Sequence, residues 1–189
     1  MARRTTVRRT KAAAVAALFC IGPVCMGPGA ASAEVLDTGP QGFRLKAMRQ
    51  IAAPPGRVYE ALGEIGRWWD GAHSYSGKAE NMSVRLEPGG CWCEALPGGG
   101  VRHGTVILAW PEQGMLRLDA PLGPLQDEGV SAVLSFQLRA KDGGTELTAA
   151  YHVGGARDFI LKAAPAVDGV LNAAWDRLTR YVETGTPEP

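Results

Sequence analysis

The fold is decided by residues 165–184, PAVDGVLNAAWDRLTRYVET. Val167, Val170, Leu171, Ala174, Trp175, Leu178, Tyr181 and Val182 recur at helical spacing and make one apolar stripe. Asp168, Asp176, Arg177 and Arg180 lie largely off it. Facing a core, such a stripe contributes about 10–20 kcal/mol before chain entropy, as an upper bound. Every strand candidate precedes this segment. A late amphipathic helix after a run of short strands predicts an α+β plan, an antiparallel sheet wrapped over one helix.

Working outward, Phe43, Leu45 and Ala47 alternate with Arg44 and Lys46, a half-buried strand ending near Ile51. Pro54-Pro55 closes it and opens a short helix carrying Val58, Tyr59, Ala61 and Leu62. Two adjacent tryptophans, Trp68 and Trp69, cannot share one face of a regular element, so one is expected to plug the core and the other to line a pocket mouth. From Met82 the pattern is strand and turn: 82–86, 91–96, 101–109, 115–120, 130–138 and 147–153, with Pro97–Gly100 and Asp142-Gly143-Gly144 as hairpin signals. A helical segment is expected around Asp158–Ala163, with Pro165 kinking or restarting the last helix. Consecutive hairpins follow from this spacing rather than βαβ units.

The first 33 residues read as a signal peptide. Arg3, Arg4, Arg8, Arg9 and Lys11 form the positive region, Ala12–Ile21 the apolar run, and Ala31-Ser32-Ala33 the small-x-small cleavage signal. The run is too short to span a bilayer, so no stable membrane anchor is expected in the mature form. Removing these residues takes five of 20 basic and none of 19 acidic side chains, leaving 15 against 19, a net charge of −4. A mildly acidic domain without a Lys/Arg run has no electrostatic footprint for nucleic acid. Residues 34–42 are expected to be a flexible lead-in, 43–184 a single domain and 185–189 a tail. Oligomeric state is not legible.

Ile51-Ala-Ala-Pro-Pro-Gly-Arg-Val58, Trp68-Trp69, Leu86-Glu-Pro-Gly-Gly90, Gly104-Thr-Val106 and Gly144-Thr-Glu-Leu-Thr148 occur in this order. In that order and spacing the chain resembles the START/Bet v 1-like helix-grip superfamily (SRPBCC), in its polyketide cyclase, lipid transport and Hsp90-ATPase-activator branch. The resemblance implies a curved, mostly antiparallel sheet gripping the C-terminal helix, short helices after the first strand, and a cavity between them for a small apolar molecule. No cofactor is expected. The chain departs from the branch after Gly89-Gly90, where Cys91-Trp92-Cys93-Glu94 replaces an arginine followed by an aromatic.

An even-length loop at Pro97–Gly100 puts Leu96 opposite Val101, Glu94 opposite His103 and Cys93 opposite Gly104. Alternation then gathers Trp92, Glu94, Leu96, Val101, His103, Thr105 and Ile107 on one face, whose apolar members make it the inner one. Glu94 and His103 become a carboxylate–imidazole pair within about 5.5 Å by Cβ, able to hold a polar ligand end or move a proton; an exposed ion pair of little worth is the bland alternative. Cys91 and Cys93 face away from that pair and match no zinc spacing, so no metal is expected. Two residues apart on a regular strand, they read as shielded thiols, with a strained local disulfide as the alternative. His73 and His152 read as surface residues, and no Gly-x-Ser-x-Gly, His-Glu-x-x-His or phosphate-cradling loop occurs.

The expected ligand-binding set is Trp68, Trp69, Trp92, Glu94, His103, Thr105, Leu118, Phe136, Tyr151 and Trp175, an apolar pocket with few polar groups. Three functions stay open: an exported carrier of a small apolar molecule, a cyclase- or dehydratase-like enzyme using Glu94 and His103, and a protein-interaction domain resembling the Hsp90-ATPase activators. Whether the chain is an enzyme is undecided at this level. The signal peptide generates its own prediction. N-terminal sequencing of the protein recovered outside the cytoplasm will give a chain beginning at or next to Glu34; an intact cytoplasmic chain beginning at Met1 overturns export.

Overall fold

The long C-terminal helix is one unbroken element, α3 (Asp158–Thr184). In this computed structural model, residues 34–39, 41–155 and 158–189 are described, and the expected signal peptide lies outside them. Leu171, Ala174, Trp175 and Leu178 are buried, with Val167, Tyr181 and Val182 packed half-buried beside them. The stripe also runs further back than expected, through Ala164 and Leu161. That continuity explains why Pro165 neither ends nor restarts the helix. Its side chain is exposed, and one missing backbone donor is outweighed by core contacts on both sides of it.

Eight strands form one antiparallel sheet in the order β1-β2-β8-β7-β6-β5-β4-β3. They are β1 (Glu34–Gly39), β2 (Gly42–Ile51), β3 (Met82–Val84), β4 (Cys91–Leu96), β5 (Gly99–Trp110), β6 (Met115–Asp119), β7 (Ser131–Lys141) and β8 (Gly144–Gly154). The sheet is curved and unclosed around α3. Residues 34–39, expected as a flexible lead-in, instead pair with β2 as an edge strand. Strong alternation in β2, β7 and β8 puts Phe43, Leu45, Leu134, Phe136, Leu147 and Tyr151 inside. The Asp142-Gly143 turn between β7 and β8 has φ of 50° and 77°, the positive pair of a type I′ hairpin.

Between β2 and β3 lie two short helices, α1 (Pro55–Gly63) and α2 (Ile65–Trp68). Pro55 occupies the first turn of α1, and Val58, Tyr59, Ala61 and Leu62 are its buried face. Arg49, an inward residue of β2 that the alternation alone would make apolar, is 6% exposed. It reaches α3 through Asp176 at 2.7 Å and Asn172 Oδ1 at 2.9 Å. Arg177 of α3 donates to the carbonyls of Trp68 and Trp69 at 2.8 and 3.3 Å, satisfying acceptors at the end of α2. The polar side of α3 is therefore not idle.

Trp175 is 3% exposed and touches the rings of Phe136 and Trp68, with centroids 5.1 and 6.2 Å away. Trp175→Ala will destabilise the protein by about 3–5 kcal/mol in urea unfolding; a loss below about 1 kcal/mol is a surface-sized effect and contradicts this packing.

Candidate functional site

The hairpin of β4 and β5 has a tighter turn than its sequence predicts. Leu96 pairs with Gly99, so Pro97-Gly98 is a two-residue loop, with Gly98 at φ 75°. Proline followed by a positive-φ glycine is the type II pattern. Glu94 consequently pairs with Val101, not with His103. A shift of two residues keeps the face, and a bulge then restores the meeting. Cys93 pairs with Arg102 and Trp92 with Gly104, leaving His103 as the extra residue. His103 and Gly104 are both buried, consecutive residues on one side. A Cβ on Gly104 would lie 2.9 Å from the Ala120 Cβ and from the Asp119 carbonyl oxygen, so the bulge needs glycine there.

Past the bulge the alternation is inverted. Val106 is buried, while Thr105 is only half-buried and Ile107 is 50% exposed. Thr105 therefore leaves the expected inner set, along with Ile107. The same irregularity corrects the cysteines. Two residues of regular strand span about 6.7 Å, but Cys91 and Cys93 have Cα atoms 5.3 Å apart and are joined as a disulfide. The shielded-thiol expectation fails because it assumed a regular strand. So short a loop removes only about 1.6 kcal/mol of unfolded-chain entropy, against about 4.7 for a loop of 100 residues.

Glu94 is 1% and His103 5% exposed. The Glu94 Oε2 is 2.9 Å from His103 Nε2 and accepts the Tyr75 N–H at 3.1 Å, while Oε1 accepts the Ser76 N–H at 2.5 Å. Burial pushes the carboxyl upward, but hydrogen bonds from Ser76, His103 and Tyr75 outweigh it and hold Glu94 down at about 2. Glu94 is thus a carboxylate and only accepts. Nε2 of His103 must then carry a hydrogen, which leaves Nδ1 as the ring nitrogen not committed to Glu94. Carboxylate-oriented imidazole is an arrangement suited to general acid–base work, with His103 as the proton carrier and Glu94 as its orienting partner.

The two amides that hold Glu94 belong to a loop over the site, residues 71–77. A Cβ on Gly71 would lie 2.8 Å from the Gly77 carbonyl oxygen, so the neck of this loop is closed by two glycines. Below it Trp69 donates from Nε1 to the His73 carbonyl at 3.0 Å and meets Trp92 edge-on at 5.2 Å. Trp92 and Tyr75 lie 5.7 and 5.9 Å from the His103 ring. Trp68 and Trp69 are both buried, correcting the expectation of one at a pocket mouth. The helix ends between them, so regular alternation does not apply. Tyr75 and Ser76 were not singled out from sequence; nothing in Ser74-Tyr75-Ser76-Gly77 marks amides that bind a carboxylate across 18 residues.

Of the remaining expected residues, Trp68, Trp92, Leu118, Phe136 and Trp175 wall one interior cavity of about 10 Å³. Tyr151 and Trp175 border a second of about 10 Å³. Each is about one water in size. Tyr151 donates to the Ala120 carbonyl at 2.9 Å and accepts the Leu122 N–H at 3.2 Å, a tie for the loop after β6. Among the described residues, Trp92 Nε1 is the buried side-chain polar atom without a hydrogen-bond partner. A wider recess of about 510 Å³ opens elsewhere, over Arg44, Ser131, Val133 and His152. Among the described residues no three His, Cys, Asp or Glu side chains converge as a metal site.

No protein-family model matches the chain, and no curated protein sequence does. Solved structures do. Aha1 from Colwellia psychrerythraea, solved as a dimer, is similar at TM-score 0.54 and 18% identity, over 75% of this chain and 97% of that one. Ara h 8.0201 is similar at 0.52 and 12%, over 75% and 97%. DynU16, from the dynemicin biosynthetic locus, is similar at 0.54 and 19%, over 76% and 48%. This is the START/Bet v 1-like helix-grip fold. At these identities the likeness is one of fold, and function rests on the site.

The site generates a pH prediction. The Glu94 folded value, about 2, lies below its ordinary value of 4.5, so its contribution is present above pH 4.5 and is lost as pH falls toward 2. Glu94→Gln will be less stable than wild type by about 3 kcal/mol at pH 7, and the gap will close between pH 4.5 and 2 in urea titrations.

Proposed function

We propose that the protein is an exported helix-grip binding protein for a small, largely apolar molecule whose polar end is held at Glu94 and His103. The observation that carries this reading is the buried pair itself, 2.9 Å apart, set among Trp69, Trp92 and Tyr75 and covered by a short loop. The unpartnered Trp92 Nε1 supports it, since an unsatisfied buried donor is costly and a ligand acceptor relieves it. The leader-like N-terminus supports export. The cavities of about 10 Å³ under the sheet hold no more than a water each, so on this reading an apolar body enters only with rearrangement of the surrounding side chains or loops.

A second reading, catalysis of the cyclase or dehydratase kind, is favoured by one feature: the fixed hydrogen on Nε2, which leaves His103 Nδ1 to exchange a proton with a bound substrate. The protein-interaction reading draws on the Aha1 likeness and on the filled interior, and gains if no small molecule binds.

Native mass spectrometry of the protein from its own host will show a co-purified small molecule. In titrations with N-phenyl-1-naphthylamine, an apolar probe carrying one N–H donor, His103→Gln will weaken binding by about 1–3 kcal/mol, with a smaller loss of stability than Glu94→Gln because the glutamine amide can still donate to the carboxylate. Combination with Glu94→Gln will be non-additive, because the two share one network. Unchanged probe affinity in both variants, with no co-purified molecule, overturns the binding reading.

A further inference from the structure

The Cys91–Cys93 disulfide adds little by closing a loop, so its role lies in what it holds locally. It spans the irregularity between Trp92 and Cys93, opposite the extra residue His103. Between its sulfurs the chain sends Trp92 inward against the His103 ring. Both cysteines are half-buried, on the side away from the core. We propose that this disulfide is a thiol–disulfide exchange site that takes two electrons from a dithiol, and that its reduction releases the bulge holding His103 against Glu94.

The surroundings give the exchange a direction. Exposed Arg102 pairs with Cys93 across the hairpin. Cys91 pairs with Thr105, which pairs in turn with Asp119. Arg85, whose N–H donates to the Cys91 carbonyl, is engaged by Glu87 at 3.5 Å. Among the described residues Arg102 makes no ion pair, and a thiolate with such a cation as its cross-strand neighbour is the better leaving group. The incoming thiolate therefore attacks Cys91 Sγ, the Cys91–Cys93 bond breaks, and Cys93 leaves as thiolate and takes a proton from solvent. The second thiolate of the donor then attacks the donor sulfur of the mixed disulfide. Cys91 leaves and is protonated; the donor ends as a disulfide and the chain as two thiols. With the sulfurs parted, β4 can lengthen toward regular strand spacing and the pairing that expels His103 from the ladder is no longer enforced.

The test uses the full chain under native conditions. Dithiothreitol will reduce the Cys91–Cys93 bond while near-ultraviolet circular dichroism still reports a folded protein, with a change in the tryptophan signal. Glutathione, quenched early with iodoacetamide and located by fragment mass spectrometry, will be found on Cys91 and the alkyl group on Cys93. Arg102→Gln will slow reduction about three- to tenfold, and Arg139→Gln, remote on β7, will leave it unchanged. A bond that yields only after urea unfolds the chain overturns the proposal, as does glutathione on Cys93 or an Arg102→Gln rate equal to wild type.

Discussion

Burial of Trp175 is the constraint on which the rest depends. It lies mid-helix on α3, and a side chain of its size is buried only if sheet and short helices close around it together. Phe136 meets it from the sheet and Trp68 from α2. Trp68 continues to Trp69, Trp69 to Trp92, and Trp92 to His103. One run of rings thus connects the helix that organises the fold to the pair that organises the site. Aromatic contacts in offset or edge geometry add about 0.5–1.5 kcal/mol each beyond area, so the helix cannot shift without loosening what supports His103.

The second constraint is local. A regular β4–β5 ladder would carry Thr105 and Ile107 inward and leave the cysteines too far apart to bond. One extra residue inverts the alternation, seats Val106 in the core and brings His103 diagonally to Glu94. Gly104 makes this possible sterically, and the disulfide fixes it covalently. The consequences reach the loop as well. Because Glu94 is held in place by His103 on one side, it can hold the amides of Tyr75 and Ser76 on the other.

What the chain discloses before folding is what periodicity encodes. The strand of Phe43 to Ile51, the Asp142-Gly143 hairpin and the α3 stripe each repeat a signal several times, and each appears in place and in phase. Glu94 and His103 were legible as partners because a register error of two residues preserves the face. Thr105 was misplaced because a bulge leaves no mark in hydrophobic alternation. The expectation that one of Trp68 and Trp69 lines a pocket mouth fails because a helix end between them, not a face, decides their directions, and both are buried. Arg49 and the Tyr75-Ser76 amides were invisible for a further reason: their partners are 127, 19 and 18 residues away, and long-range polar pairing has no local pattern.

Glu94 sets the terms for any occupant of the site. Its oxygens already accept three donors, and a carboxylate offers about four acceptor sites. On the binding reading proposed above, a ligand with a donor or cationic end would replace the loop amides without leaving the charge bare. An anionic end cannot approach Glu94 without a buried like-charge contact, and must turn to the His103 edge or to Trp92 Nε1 instead. Lifting the loop with no replacement would strand a carboxylate whose hydrogen bonds hold it far below its ordinary range. On that binding reading, opening and ligand capture would therefore be coupled through one side chain, and the carboxylate that ties down the loop would also select what enters.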